Sequence, residues 1–231
     1  MIYEGLAKYY DDLVGDEEAT LKWVDLTKKF CPKGNLLELA CGSGEISYKL
    51  QQEGYDLLAT DFSSSMIERL NSKYPSVATQ VLDMREFTLD KKFDGVICYC
   101  DSINYLNSME EVKRMFQSVK DCLSDEGIFI FDMHTLDRLE EFSELYIEEG
   151  ELDVPYQWTI QSIDNEIHQH FAFFEEDRII QEQHIQTVFH PNDIMTSLYE
   201  LGFRCEAYTD FEKEGIQEGE KLFIVARREK C

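Results

Sequence analysis

The segment Glu38-Leu39-Ala40-Cys41-Gly42-Ser43-Gly44-Glu45-Ile46 concentrates the residue types that bring a ligand against bare backbone. Glycines at 42 and 44 permit left-handed backbone, and a helix starting just after them offers unpaired N–H groups to a polar ligand. A second acid, Asp61, follows Gly44 by 17 residues, at the end of an apolar run. A carboxylate so placed can accept both ribose hydroxyls of a nucleotide. The run Gly42-Ser43-Gly44-Glu45-Ile46-Ser47 carries Ser47 where a dinucleotide fingerprint has its third glycine, which disfavours NAD.

These residues need a strand before each turn and a helix after it. Asn35 to Ala40 reads as a buried strand and Glu45 to Gln52 as a helix closed by Gly54; Asp56 to Thr60 reads as a second strand, and Ser63 to Ser65 offer N-caps to a helix through Met66, Ile67 and Leu70. Strands over Val77 to Leu82, Phe93 to Cys100 and Gly127 to Met133, and a helix from about Met109 to Cys122, continue the alternation. Short apolar runs alternating with amphipathic helices predict an α/β fold, a doubly wound, mostly parallel Rossmann-like sheet. Asp193 to Leu201 reads as a further helix, and Arg204 to Phe211 with Leu222 to Arg227 as a closing hairpin.

Residues 136–190 break the rhythm. Leu136 to Glu149 reads as an acidic helix, and Ile167 to Phe174 with Ile179 to Phe189 as a hairpin turning at Glu175-Glu176-Asp177-Arg178. The expected organisation is a cofactor-binding core over 1–135, a small antiparallel β insertion after the fifth strand over 136–190 forming an acceptor or lid region, and a return to the core sheet over 191–231.

The chain has 22 basic and 47 acidic residues, a net charge of −25, which argues against nucleic acid and against an anionic membrane surface. Its 43% hydrophobic content supports a core without staples. No leader pattern or spanning apolar run is evident, and the 7 cysteines form no CxxC pair, so a cytoplasmic protein with free thiols is expected. His168 and His170 share a strand face, with His184 on the opposing strand, but no completing ligand makes a metal site there, and none is expected.

The ordered motifs resemble those of the class I S-adenosylmethionine-dependent methyltransferases, in their small-molecule branch, from Tyr3 to Arg227. Ala40 stands at the family's usual first glycine; Thr60 to Met66 looks like the ribose-binding strand end, and Leu82-Asp83-Met84-Arg85 resembles the stretch that recognises adenine. Phe93 to Ile97 and Asp101 to Leu106 are similar to the fourth strand and the loop beyond it. The resemblance implies S-adenosylmethionine as cofactor, held by Tyr9, Glu38, Ala40, Cys41, Gly42, Ser43, Gly44, Asp61, Phe62, Met66, Asp83, Met84, Cys100 and Asp101, with Tyr9, Tyr10 and Asp11 as a covering segment. Phe62 and Met84 either sandwich adenine or belong to ordinary core.

It further implies methyl transfer to nitrogen or oxygen of a small molecule, in which the protein supplies proximity and orientation. His134, Asp101 and Tyr105 are the catalytic candidates, with His134 either a base or a loop histidine bonded to backbone. Asn104, Tyr105, His134, Trp158 and His170 are the acceptor-binding candidates, a face that Tyr156 and Phe174 would extend. The rival readings are a non-catalytic S-adenosylmethionine-binding partner protein and a nicotinamide-dependent oxidoreductase, the latter lacking a Tyr-x-x-x-Lys pair. Oligomeric state has no signal.

Overall fold

A computed structural model describes residues 9, 13, 15 and 17–228. Tyr10 and Asp11 of the expected covering segment lie outside the described residues. The order is α1 (Glu17–Phe30), β1 (Asn35–Leu39), α2 (Glu45–Gln52), β2 (Asp56–Asp61), α3 (Ser64–Lys73), β3 (Ala78–Val81), β4 (Phe93–Cys98), a 3-10 turn (Ser102–Tyr105), α4 (Met109–Cys122) and β5 (Leu123–His134). Then come α5 (Asp137–Glu141), β6 (Tyr146–Glu151), β7 (Pro155–Ile163), β8 (Glu166–Phe174), β9 (Ile179–Thr187), α6 (Pro191–Glu200), β10 (Phe203–Thr209), β11 (Lys213–Glu214) and β12 (Lys221–Arg228).

The main sheet runs β11-β10-β12-β5-β4-β1-β2-β3. Strands β1 to β5 pair in parallel, and β12 enters antiparallel to β5, so the expected α/β architecture is observed. Side chains alternate between two cores. Leu37, Leu39, Val96, Cys98, Phe129 and Phe131 face α4 and α6, whereas Leu36, Ile97, Ile128 and Ile130 face α1 to α3. Burial on both faces is why these strands read as continuous apolar runs. At Gly95 a Cβ would lie 2.6 Å from a Leu36 methyl, so β4 can approach β1 only through a glycine there. Ser63 and Ser108 cap α3 and α4 by accepting from the backbone N–H groups of Met66 and Glu111.

The insertion is larger than a hairpin: β6-β7-β8-β9 form an antiparallel meander. The acidic helix expected over 136–149 is corrected by this sheet. Only Asp137–Glu141 is helical, and Tyr146–Glu151 pairs with β7 instead. Glutamates made the segment read as helix, but here they sit in an edge strand, where Glu148 and Glu149 accept cross-strand bonds from Tyr156 (2.8 Å) and Gln157 (2.7 Å). The expected hairpin over 167–174 and 179–189 is present as β8 and β9.

Asn104 stitches the two sheets together. Its Nδ2 donates to the Thr187 carbonyl at 2.7 Å, and its Oδ1 accepts from the His134 backbone N–H at 3.0 Å. No helix among the described residues is long and apolar enough to cross a membrane.

Leu36 is fully buried in β1 and Ile147 is 53% exposed on β6. In urea unfolding, Leu36→Ala is expected to cost about 2–5 kcal/mol, and Ile147→Ala no more than about 0.5 kcal/mol. Equal losses would contradict this assignment of core and surface.

Candidate functional site

Strand order reverses between β1 and β4, with β2 and β3 on one side and β5 on the other. Crevices outside the carboxyl ends of such strands are where doubly wound sheets bind ligands. A cavity of about 590 Å³ lies there, within the range of small-molecule sites, about 300–1,000 Å³.

Its floor is the turn after β1. Ala40, Gly42 and Gly44 all take left-handed backbone, at φ 54, 54 and 87°. At Gly42 a Cβ would meet nothing within 4 Å, so its bare backbone opens on the cavity, whereas at Gly44 it would lie 2.4 Å from Leu70 Cγ. Asp61 holds this turn to the next one: one carboxylate oxygen accepts from the Gly42 N–H at 2.9 Å and the other from the Ser63 N–H at 2.8 Å. Burial raises the Asp61 pKa against these two bonds. Glu38 sits beneath, 2% exposed, and accepts from the Ser47 hydroxyl. Burial pushes its carboxyl up to about 8. Ser47 therefore has a structural task at the position where a dinucleotide fold has glycine.

Across the cavity, the Arg85 guanidinium lies 5.6 Å from the Phe62 ring centroid and pairs with the Asp83 carboxylate, which also accepts from the Arg85 N–H at 3.0 Å. The Arg85 hydrogen bonds outweigh partial burial and hold Asp83 below the usual carboxylate range. Glu38, Glu45, Asp61 and Asp83 thus line the cavity against Arg85, the one Lys or Arg among the described lining residues.

The sequence candidates fall into two groups. Glu38, Ala40, Cys41, Gly42, Ser43, Gly44, Asp61, Phe62, Met66, Asp83, Met84, Cys100 and Tyr105 line the cavity together. Tyr9, Asp101, Asn104, His134, Trp158 and His170 do not. Tyr9 stacks on Phe173 of β8 and donates to Glu175 at 2.7 Å. Trp158 faces Phe171 across the β7–β8 pairing, whereas His170 faces Thr159 and Gln183 on the opposite side of that sheet. The expected pocket face combining Trp158 with His170 is therefore split. His184 pairs across from Gln169, so it too lies on the side away from His168 and His170.

Asp101 and His134 belong to a buried charge cluster behind the cavity. Lys221 pairs with Asp101 and lies 3.8 Å from Asp132; Asp132 also accepts from the Trp23 indole N–H at 3.0 Å and from the Asp101 backbone N–H at 3.1 Å. Burial pushes Asp132 up to about 7, partly offset by Lys221. Burial also opposes charge on Asp101, but His134 and Lys221 beside it hold it below the ordinary value. His134 places Nδ1 3.6 Å from Asp101 and Nε2 3.1 Å from the Gln186 amide oxygen, and burial lowers its pKa. The ring is thus favoured neutral, outside the cavity wall.

The motif reading missed Trp23 and Thr20 of α1 and Gln183 and Ile185 of β9, all on the cavity wall, and Lys221 behind it. Trp23 carries no motif; its role comes from where α1 packs. Lys221 begins the last strand, far in sequence from its partners.

The residues fit S-adenosylmethionine: bare backbone at Gly42 opens on the cavity, and the acidic lining suits a ligand with a cationic sulfur and an ammonium group. Comparison with known proteins agrees. A family profile described as "Methyltransferase domain" matches residues 36–127. The chain is 33% identical over 247 residues to "Putative methyltransferase YqeM" of Bacillus subtilis (strain 168), covering 100% of this chain and 98% of that protein. It is 28% identical to dTDP-3-amino-3,4,6-trideoxy-alpha-D-glucopyranose N,N-dimethyltransferase of Streptomyces venezuelae, over 47% of this chain and 46% of that one. The crystal structure of an S-adenosylmethionine-dependent methyltransferase from Clostridium acetobutylicum ATCC 824 superposes with a TM-score of 0.84 at 23% identity, covering 98% of both chains.

Two outcomes test this geometry. Gly42→Ala and Gly44→Ala each incur a left-handed backbone cost of about 1–2 kcal/mol. Gly44→Ala adds the Leu70 clash, so thermal unfolding should drop further for it, by about 1–3 kcal/mol more; Gly42→Ala should instead lose more ligand affinity than stability. Glu38 is the second case. Its pKa is raised from 4.5 to about 8, so in that window the folded state holds a proton the unfolded state has released, and this contribution to stability falls as pH rises. Glu38→Gln should therefore gain stability relative to wild type on going from about pH 5 to about pH 8. A difference independent of pH would show that Glu38 holds no such proton.

Proposed function

Because this chain belongs to the class I S-adenosylmethionine-dependent methyltransferases, we propose that it methylates nitrogen or oxygen of a small, neutral or cationic molecule. The observation that carries this reading is the cavity's charge: besides Glu38, which keeps its proton up to about pH 8, Glu45, Asp61 and Asp83 line it against one guanidinium already paired with Asp83. A phosphate-bearing acceptor finds no free cation among those lining residues. Nitrogen is supported by the Streptomyces venezuelae relative, whose name states N,N-dimethylation of an amino sugar nucleotide. The acidic lining separates this protein's acceptor from such a diphosphate.

Bound S-adenosylmethionine supplies a methyl group already activated by a positive sulfur. The protein's task is to bind, orient and exclude water. In this proposal the Gly42 to Gly44 backbone, Asp61 and Met66 hold the cofactor, and Phe62 and Met84 flank its adenine. Asp83 reaches the base edge only as part of its pair with Arg85. Tyr105, Gln183 and Ile185 form the acceptor wall. Asp101 and His134 support that wall from behind, since neither lines it.

The test is calorimetric titration with S-adenosylmethionine, S-adenosylhomocysteine and NADH, followed by a methylation screen. Binding of the first two alone is expected, with turnover of uncharged or cationic amines and alcohols exceeding that of nucleoside-diphosphate amino sugars. Preferred turnover of the diphosphates would overturn the acceptor class. Asp61→Ala should weaken S-adenosylmethionine binding by about 1–3 kcal/mol through lost charge-assisted hydrogen bonds and a loosened turn.

A further inference from the structure

The small sheet has one covered face and one open face. Phe171 and Phe173 are buried on the first, where Tyr156, Trp158 and Ile180 pack with them and with Tyr9. The other face follows from the registers. Ile147 opposes Thr159, Thr159 opposes His170, and His170 opposes Gln183, so these side chains and those two residues away along each strand share it. It carries Ile147, Ile163, Phe174, Ile179 and Ile185, all between 40% and 57% exposed. Apolar side chains gathered on one open sheet face, rather than scattered singly, mark an interaction surface.

The composition of this face selects its partner. Across β7, β8 and β9 its middle rows are Gln157-Ala172-Gln181 and Thr159-His170-Gln183, with no Lys, Arg, Asp or Glu in either. Its acids stand at the margins, where Glu149 and Glu166 are bonded to Gln157 and His168 at 2.7 and 2.9 Å. The chain as a whole has a net charge of −25. A basic partner would be drawn to the acidic remainder of the surface, whereas a second copy is repelled by that remainder and meets no such barrier here. Side-chain amides donate and accept at once, so each row can pair with its own copy across a two-fold axis, where a charge would meet its like. Four strands of 6 to 9 residues present about 500 Å² in projection. Side-chain relief raises that toward the about 800 Å² per partner that a stable interface buries.

We propose that two copies of this chain associate through these faces, sheet on sheet, as a two-fold dimer. Phe174 and Ile179, paired across β8 and β9, make the apolar contact at one end of the face, and Ile163 and Ile185 make it at the other. Ile147, on β6 at the sheet's margin, lies at the rim of the interface, where truncation costs little. The dimer bears on the candidate site. Gln183 and Ile185 stand on the docking face and also line the cavity, so the second copy borders the cavity mouth beside them. The pairing rests on this face alone and holds whichever molecule is methylated.

Sedimentation velocity on the whole protein, from about 1 to about 100 μM, tests the pairing. A dimer is expected, and it should tighten as salt rises from about 0.05 to about 0.5 M, because salt screens the repulsion between two acidic copies. The double variant Ile179→Glu with Gln181→Glu sets charge on the face away from the cavity wall and should weaken association about 10-fold or more, with an unchanged far-UV spectrum. Ile216→Glu, at an exposed position outside the small sheet, should leave association unchanged. A dimer that the double variant leaves intact, or one that loosens as salt rises, would overturn the proposal. So would a monomer at about 100 μM in high salt, and alkylation of the thiol in Ile179→Cys then tells what replaces the dimer: a protected thiol means that the chain's own terminal residues cover the face, a reactive one that the face serves a different protein.

Discussion

The candidate site depends on one carboxylate. Asp61 ends β2, and its two oxygens accept from the turn after β1 and the turn after β2, at Gly42 and Ser63. Without that clamp, three left-handed residues at 40, 42 and 44 would have to hold their conformation by local preference alone. One of them is alanine, for which the left-handed region is costly. The clamp therefore sets where the bare Gly42 backbone lies and where α2 begins. The β1–β2 register, pairing Leu39 with Thr60, carries this geometry into the sheet, as does the Thr60 hydroxyl bond to the Glu38 carbonyl at 2.7 Å.

Behind the other half of the cavity, charge takes over from backbone. Lys221 sits between Asp101 and Asp132, and the Trp23 indole ties Asp132 to the cavity-lining helix α1. Such a cluster is a poor source of net stability, since burying ions is costly. Its value is positional. Asp101 follows Cys100, and both are left-handed non-glycine residues, at φ 56 and 57°. The Lys221 and Asp132 bonds to Asp101 hold this strained corner, which leads into the turn bearing Tyr105.

The parallel core was legible because its strands are apolar on both faces and its turns carry glycine, serine and aspartate at diagnostic places. The cofactor-side candidates were legible for the same reason: they sit within a few residues of a strand end, where sequence neighbours are spatial neighbours. The side formed by the small sheet was not. Glu148 and Glu149 read as helix although they belong to an edge strand, because acidic composition carries no face preference until a partner strand exists. Trp158 and His170 looked like one wall, but two-residue periodicity places them on opposite sides once the β7–β8 register is known. His184 and Glu182 were invisible as a pair with Tyr105, because 79 residues separate His184 from its phenol partner.

That last pairing shows what controls the cavity wall on the side of the small sheet. On β9, Gln183 and Ile185 line the cavity, while Glu182, His184 and Gln186 turn inward to Tyr105, His134 and the Asp101 carbonyl. A slip of one residue would exchange the two sets, putting charged and imidazole groups into the cavity and amide and isoleucine side chains against the buried turn. Among the described residues β9 is an edge strand, so its strand register comes from β8. The Asn104 bond to the Thr187 carbonyl then fixes the strand's end to the core. Phe171 and Phe173, buried against Tyr9 and Trp158, hold β8 in turn. The small sheet thus governs this part of the cavity wall through register: packing remote from the cavity decides which alternate residues of one edge strand face it.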